Sequence, residues 1–66
     1  MTFVEFLDAN NLPHIGEIVT TPIGVKAIVK RYVFDDYCDY VEVYIETYGV
    51  IEWTLDQIKV CKREEN

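Results

Sequence analysis

Between Tyr40 and Glu46 apolar and polar side chains alternate without a break: Val41, Val43 and Ile45 on one side, Tyr40, Glu42, Tyr44 and Glu46 on the other. Successive side chains of an extended strand point to opposite faces, so this run makes one dry face and one wet face. The next run, Val50 to Leu55, places Ile51, Trp53 and Leu55 on one side. Joined as a hairpin, the two runs must keep their apolar sides together, and that condition restricts the turn between them. A tight turn at Tyr48-Gly49 would set Ile45 against Glu52 and is excluded. A loop of Thr47-Tyr48-Gly49 predicts Ile45 opposite Ile51, Val43 opposite Trp53 and Tyr44 opposite Glu52. It also puts Gly49 where such loops need a left-handed backbone angle.

The rest of the chain divides around this hairpin. Thr2 and Glu5 have capping-box spacing, and Phe3, Phe6 and Leu7 fall on one helical face. A short helix is expected, ended by Asn10-Asn11 and kept from resuming by Pro13, its apolar face plugging one mouth of the strand-built body. The competing reading is a brief strand from Phe3 to Leu7. From Ile15 onward β-branched runs alternate with turn residues, as in a set of short strands. Gly16 to Thr21 is the first, stopped by Pro22-Ile23-Gly24. Val25 to Phe34 is the second and is long enough to bend. Asp35 to Asp39 forms a hairpin tip, and Asp56 to Cys61 reads as a helical turn leading into a final short strand.

The chain of 66 residues is one domain, with a helical segment at 1–12, the β-rich body at 15–61 and a solvated tail at 62–66. A domain of this size buries only about 60% of the surface its unfolded chain exposes, so the core is small. Cys38 and Cys61 belong to no paired motif and read as reduced thiols; with no signal peptide, a cytoplasmic protein is expected. A disulfide between them is the lesser alternative. No apolar run approaches the roughly 20 residues that span a bilayer, so no membrane partner is expected. Twelve acidic residues against six basic ones, a formal charge of −6, repel phosphate backbones and favour basic partners. Nucleic acid is therefore a disfavoured partner.

Gly16, Val19, Gly24, Lys26 and Val29 fall where the KOW-type opening has its glycines, valines and basic residue, while Ala27 stands where a second glycine is usual. With the order strand, turn, long strand, hairpin, helical turn and closing strand, residues 15–61 resemble an SH3-like small β-barrel. The resemblance implies a mostly β barrel of about five short strands with a short N-terminal helix. It also implies RNA or ribosome association through Lys26, Lys30, Arg31 and Lys59, although barrels of this kind host unrelated functions.

No catalytic constellation can be assembled from these residues, and neither metal nor cofactor is called for. Asp35, Asp36 and Asp39 lack the spacing of a calcium loop, and His14 has no nucleophile near it in sequence. The tyrosines stand out. Tyr40 and Tyr44 share the wet face with Glu42, Glu46 and Glu52, and Tyr32, Tyr37 and Tyr48 are placed to reach it or the adjoining loops. The plain reading is cross-strand cover of the barrel. The functional reading is a partner-binding surface of Tyr40, Glu42, Tyr44, Glu46 and Glu52 that selects a protein with a basic or mixed surface. An aromatic cage for a methylated cation is a sharper form of it. Read as a free-standing chain, the protein acts by occupying something: an adaptor or inhibitor, in the style of phage and mobile-element products that neutralise host enzymes. Nucleic-acid mimicry by spaced carboxylates is the second hypothesis.

Overall fold

The computed structural model describes residues 1–64. The helix expected at the start is α1, Phe3–Ala9, which excludes the strand reading. Its entry is a capping box: Thr2 Oγ1 accepts the Glu5 N–H at 3.1 Å and Glu5 Oε1 accepts the Thr2 N–H at 3.1 Å. Its exit is a Schellman turn. Asn11 takes the left-handed angle (φ 55°), the Leu12 N–H reaches back to the Leu7 carbonyl at 2.8 Å, and the Asn11 N–H reaches the Asp8 carbonyl at 3.2 Å. That turn delivers Leu12 beside Leu7, and both are fully buried.

Five antiparallel strands follow: β1 Ile18–Thr20, β2 Lys26–Phe34, β3 Asp39–Ile45, β4 Gly49–Thr54 and β5 Lys62–Arg63, with a short helix α2, Leu55–Lys59, between the last two. They make one open sheet in the order β4-β3-β2-β1-β5. The mostly β expectation holds at that level. Among the described residues no pairing joins β4 to β5, so the sheet has two free edges. Val19, Ala27, Val29, Val41, Val43 and Ile45 project from one face into a core completed by Leu7, Leu12, Ile58 and Cys61. Both helices therefore cover the same face, a two-layer arrangement. No described helix is long and apolar enough to cross a membrane. Both cysteines are free, Cys38 exposed and Cys61 buried.

Three expectations are corrected. The hairpin pairs Ile45 with Gly49, Val43 with Ile51, Val41 with Trp53 and Tyr44 with Val50, a register two residues away from the expected one. Gly49 is left-handed (φ 79°), as expected, but it is the residue paired with Ile45, and the loop is Glu46, Thr47 and Tyr48. A shift of two residues leaves every side chain on its own face, so the apolar pattern accepts both registers; local turn geometry decides between them. The Tyr48 N–H donates to the Ile45 carbonyl at 3.0 Å and closes the turn one residue early.

The second correction concerns the carboxyl-terminal end. Thr54 and Gln57 form a capping box that carries α2 through Lys59, and Cys61 is buried behind it. The closing strand therefore begins at Lys62, inside the segment expected to be a solvated tail. It pairs Val19 with Arg63 and Thr20 with Lys62. Residues 65 and 66 of that segment lie outside the described residues.

Third, Tyr32 points into the core face. The register between β2 and β3 jumps between Val29 and Arg31, so Lys30 is an extra residue in a β-bulge. Ala27 and Val29 point inward before it, Tyr32 and Phe34 after it. Tyr32 donates its phenolic hydrogen to the Pro13 carbonyl at 2.6 Å and packs by its edge against Phe3. Burial, and then the Glu17 carboxylate, push its ionisation up to about 12, against an opposing pull from Arg63.

Gly49 and Tyr32 are each open to a direct test. Gly49→Val should destabilise by about 1–2 kcal/mol through backbone strain, because an added Cβ meets nothing within 4 Å. Asn, which tolerates the left-handed region, should cost less. Equal melting of parent and valine variant would show that the angle carries no strain. For Tyr32 the folded pKa is raised, so its stabilisation is complete below the ordinary value of about 10 and vanishes as pH climbs through about 12. An absorbance titration should show a tyrosine step near pH 12, and Tyr32→Phe should remove it.

Candidate functional site

The alternation that buries Val41, Val43 and Ile45 forces Tyr40, Glu42 and Tyr44 onto the opposite face of β3, which no described helix covers. Glu52 stands on the same face of β4, directly across from Glu42. Glu46 is exposed in the turn after β3 and lines a shallow groove of about 320 Å³ with Tyr44, Lys26, Ile18 and Ile28. Tyr40, Glu42, Tyr44 and Glu52 are thus brought together on the outer face, with Glu46 at its end.

Cross-strand register sorts this face into rows. Ile18 pairs with Ile28, Ile28 with Tyr44 and Tyr44 with Val50, so one row is apolar across four strands. Tyr44 is 38% exposed and Val50 58%. The adjacent row runs Arg31, Glu42, Glu52. Arg31 grips Glu42 with two hydrogen bonds, Nε to Oε1 at 2.7 Å and Nη2 to Oε2 at 3.1 Å. Those bonds hold the Glu42 carboxyl below the usual carboxylate range and raise the guanidinium further. Like charges set directly opposite destabilise a sheet, and Arg31 relieves the contact of Glu42 with Glu52 from one side only. Partial burial, and then the Glu52 and Glu42 carboxylates, push the Tyr40 phenol up.

The remaining tyrosines do not converge on this face. Tyr37 is 95% exposed in the β2–β3 loop, Tyr48 projects from the β3–β4 turn, and Tyr32 is on the other side. Tyr40 and Tyr44 are four residues apart on one strand, a separation of about 13 Å. The rings that do meet are Phe3, Phe6, Tyr32 and Phe34, with centroids 5.6–6.4 Å apart where α1 packs on β2. Three tyrosine rings around one cation are therefore not assembled among the described residues.

Of the four cations offered for RNA, Arg31 is committed to Glu42 and Lys26 to Glu64 at 3.2 Å. Lys30 is in the bulge and Lys59 ends α2. Asp35 accepts the Tyr37 N–H within the β2–β3 loop, and His14 Nε2 meets Asp8 Oδ1 at 2.7 Å, tying the connector to α1. No three described His, Cys, Asp or Glu residues gather as a metal site. At the far edge of the sheet, Thr20, Cys61, Lys62, Arg63 and Glu64 border an open groove of about 720 Å³.

Ile18 and Ile28 were not legible as members of the outer face. In β1 and β2 both faces carry aliphatic residues, Ile18 and Ile28 outside against Val19, Ala27 and Val29 inside, so the alternation that marks β3 is missing there. No family model, no curated protein and no solved structure matches the chain.

Proposed function

We propose that the chain is a protein-binding module, an adaptor or inhibitor of a larger protein, which works through the outer face of its sheet. The observation that carries this reading is the apolar row Ile18, Ile28, Tyr44, Val50, half-buried at the two isoleucines and exposed at Tyr44 and Val50, with Lys26 and Glu46 at its groove and Arg31, Glu42 and Glu52 in the next row. The core is supplied from the other face, so nothing in folding requires an exposed tyrosine in the middle of that row. A large ring in an apolar strip, rimmed by charge, has the composition of an interface anchor. Glu46 and Glu52, beside a Glu42 already paired with Arg31, favour a partner whose facing surface is basic or mixed.

The SH3-like reading belongs to the same proposal. The order of elements, the bulged second strand and the return of the last strand to pair with β1 support it. Mimicry of nucleic acid is less well supported, because its row of carboxylates would include Glu42, whose charge Arg31 already balances.

The test is a photo-crosslinking amino acid at position 44, with position 37 as control, followed by titration of the purified captured partner. Tyr44→Ala should weaken binding about tenfold while barely changing the melting temperature. Glu42→Lys should slow association more than it speeds release, and added salt should weaken binding only modestly. Parental affinity in both variants would move the working surface elsewhere.

A further inference from the structure

The two free edges of the sheet differ in a way that points to a mode of binding. β5 is two residues long, both basic, and Arg63 is tied to Glu17. Short, charged edges resist pairing with further strands. β4 has six residues, without proline, lysine or arginine, and its sequence Gly-Val-Ile-Glu-Trp-Thr carries a single charge. It is an unguarded edge.

Two further observations show what that edge lacks. On the core face Val41 and Val43 are fully buried, but Trp53 and Ile51, paired with them on β4, are only half-buried, so cover of the core stops short by one strand. On the outer face the row Arg31, Glu42, Glu52 ends on a carboxylate that has no ion pair with a described cation. A next strand would add cover to Ile51 and Trp53 and could set a cation against Glu52. A second copy of this chain does not provide one. An antiparallel two-fold about Glu52 would oppose Glu52 to itself, one about Ile51 would set Glu52 against Val50, and both would join chains of formal charge −6.

We propose that the free edge of β4 takes an extended segment of a partner protein by main-chain pairing, with a lysine or arginine of that segment set against Glu52. Because strand side chains alternate, the residues flanking the cation face the core side next to Ile51 and Trp53 and are apolar. The recognised pattern is apolar, basic, apolar within an extended segment, a form of strand addition. It rests on the reading of the chain as a protein-binding module and gives that partner a chemistry.

The experiment uses isotope-labelled protein and a short capped peptide of threonine and valine with a central lysine, beside its glutamate counterpart. The Val50–Thr54 amide resonances should shift saturably, with the lysine peptide binding about tenfold tighter. Glu52→Lys should reverse that preference. N-methylation of one alternate set of peptide amides should abolish binding and of the other set should not, which side-chain docking would not produce. Absence of binding at millimolar peptide, equal affinity of the two peptides, or shifts confined to Tyr40, Glu42 and Tyr44 would each overturn the proposal. So would peptide-independent dimerisation through β4 in sedimentation. If a partner captured through position 44 still binds in any of these cases, the module reading survives and only the edge fails.

Discussion

Leu7→Ala is expected to cost about 2–5 kcal/mol in urea unfolding, the range for emptying a fully packed leucine site. The reason is its place in the core. Leu7 is 1% exposed and shares its cluster with Val19, Val29, Val41, Val43 and Ile58, so α1 fills part of the interior and is not an ornament on the sheet. A domain of this length has a total stability of about 3–10 kcal/mol, so the variant falls close to the unfolding threshold. Phe3, in the same helix but 42% exposed, is the control. Phe3→Ala should be milder, because its ring contacts Phe6, Tyr32 and Phe34 only from the outside. Equal effects of the two substitutions would mean that the helix docks loosely and that the sheet folds without it.

How far the sequence could be read depended on where its alternation was clean. In β3 the contrast between Val41, Val43, Ile45 and Tyr40, Glu42, Tyr44 is complete, and faces assigned from it agree with the structure. Its register with β4 was legible only as odd or even, because moving a strand by two residues exchanges no side chain between faces. The bulge at Lys30 is the opposite case. One inserted residue reverses the parity of everything after it, and so Tyr32, expected to reach the wet face or the adjoining loops, is turned to the core face. Two consecutive charges, Lys30-Arg31, between the apolar stretches Ala27–Val29 and Tyr32–Phe34 are the local mark of that break. Helix ends were legible because their chemistry is local: Thr2 with Glu5 at the start, Asn10-Asn11 at the end. The outer face was legible in its tyrosines and glutamates and hidden in Ile18 and Ile28. The closing strand was expected but placed too early, within 56–61, because a two-residue strand of Lys62 and Arg63 has no pattern at all; it exists through its contacts with the rest of the sheet.

The strongest of those contacts is with Glu17, and Glu17→Ala is expected to destabilise the domain by about 2–3 kcal/mol, the loss of charged hydrogen bonds at a mostly buried carboxylate. Arg63 donates Nε to Oε2 at 2.6 Å and Nη2 to Oε1 at 2.8 Å, and the His14 N–H adds a third contact at 3.3 Å. Beyond this pair β5 is held to β1 by little more than the pairing of Val19 with Arg63 and Thr20 with Lys62, and by the Glu64 N–H on the Ile18 carbonyl. The Arg63 hydrogen bond, opposed by burial and helped by the His14 N–H, holds the Glu17 carboxyl below its usual range. A depressed folded pKa gives stability that is complete above the unfolded value, about 4.3, and is lost as pH falls through the lower folded one. The parent should therefore lose more stability than Glu17→Gln on acidification below that point, even though other carboxylates titrate in both. A double-mutant cycle with Arg63→Ala isolates the pair. Most of the Glu17 effect should appear as coupling to Arg63, and a coupling near zero would mean that main-chain bonds alone hold the last strand.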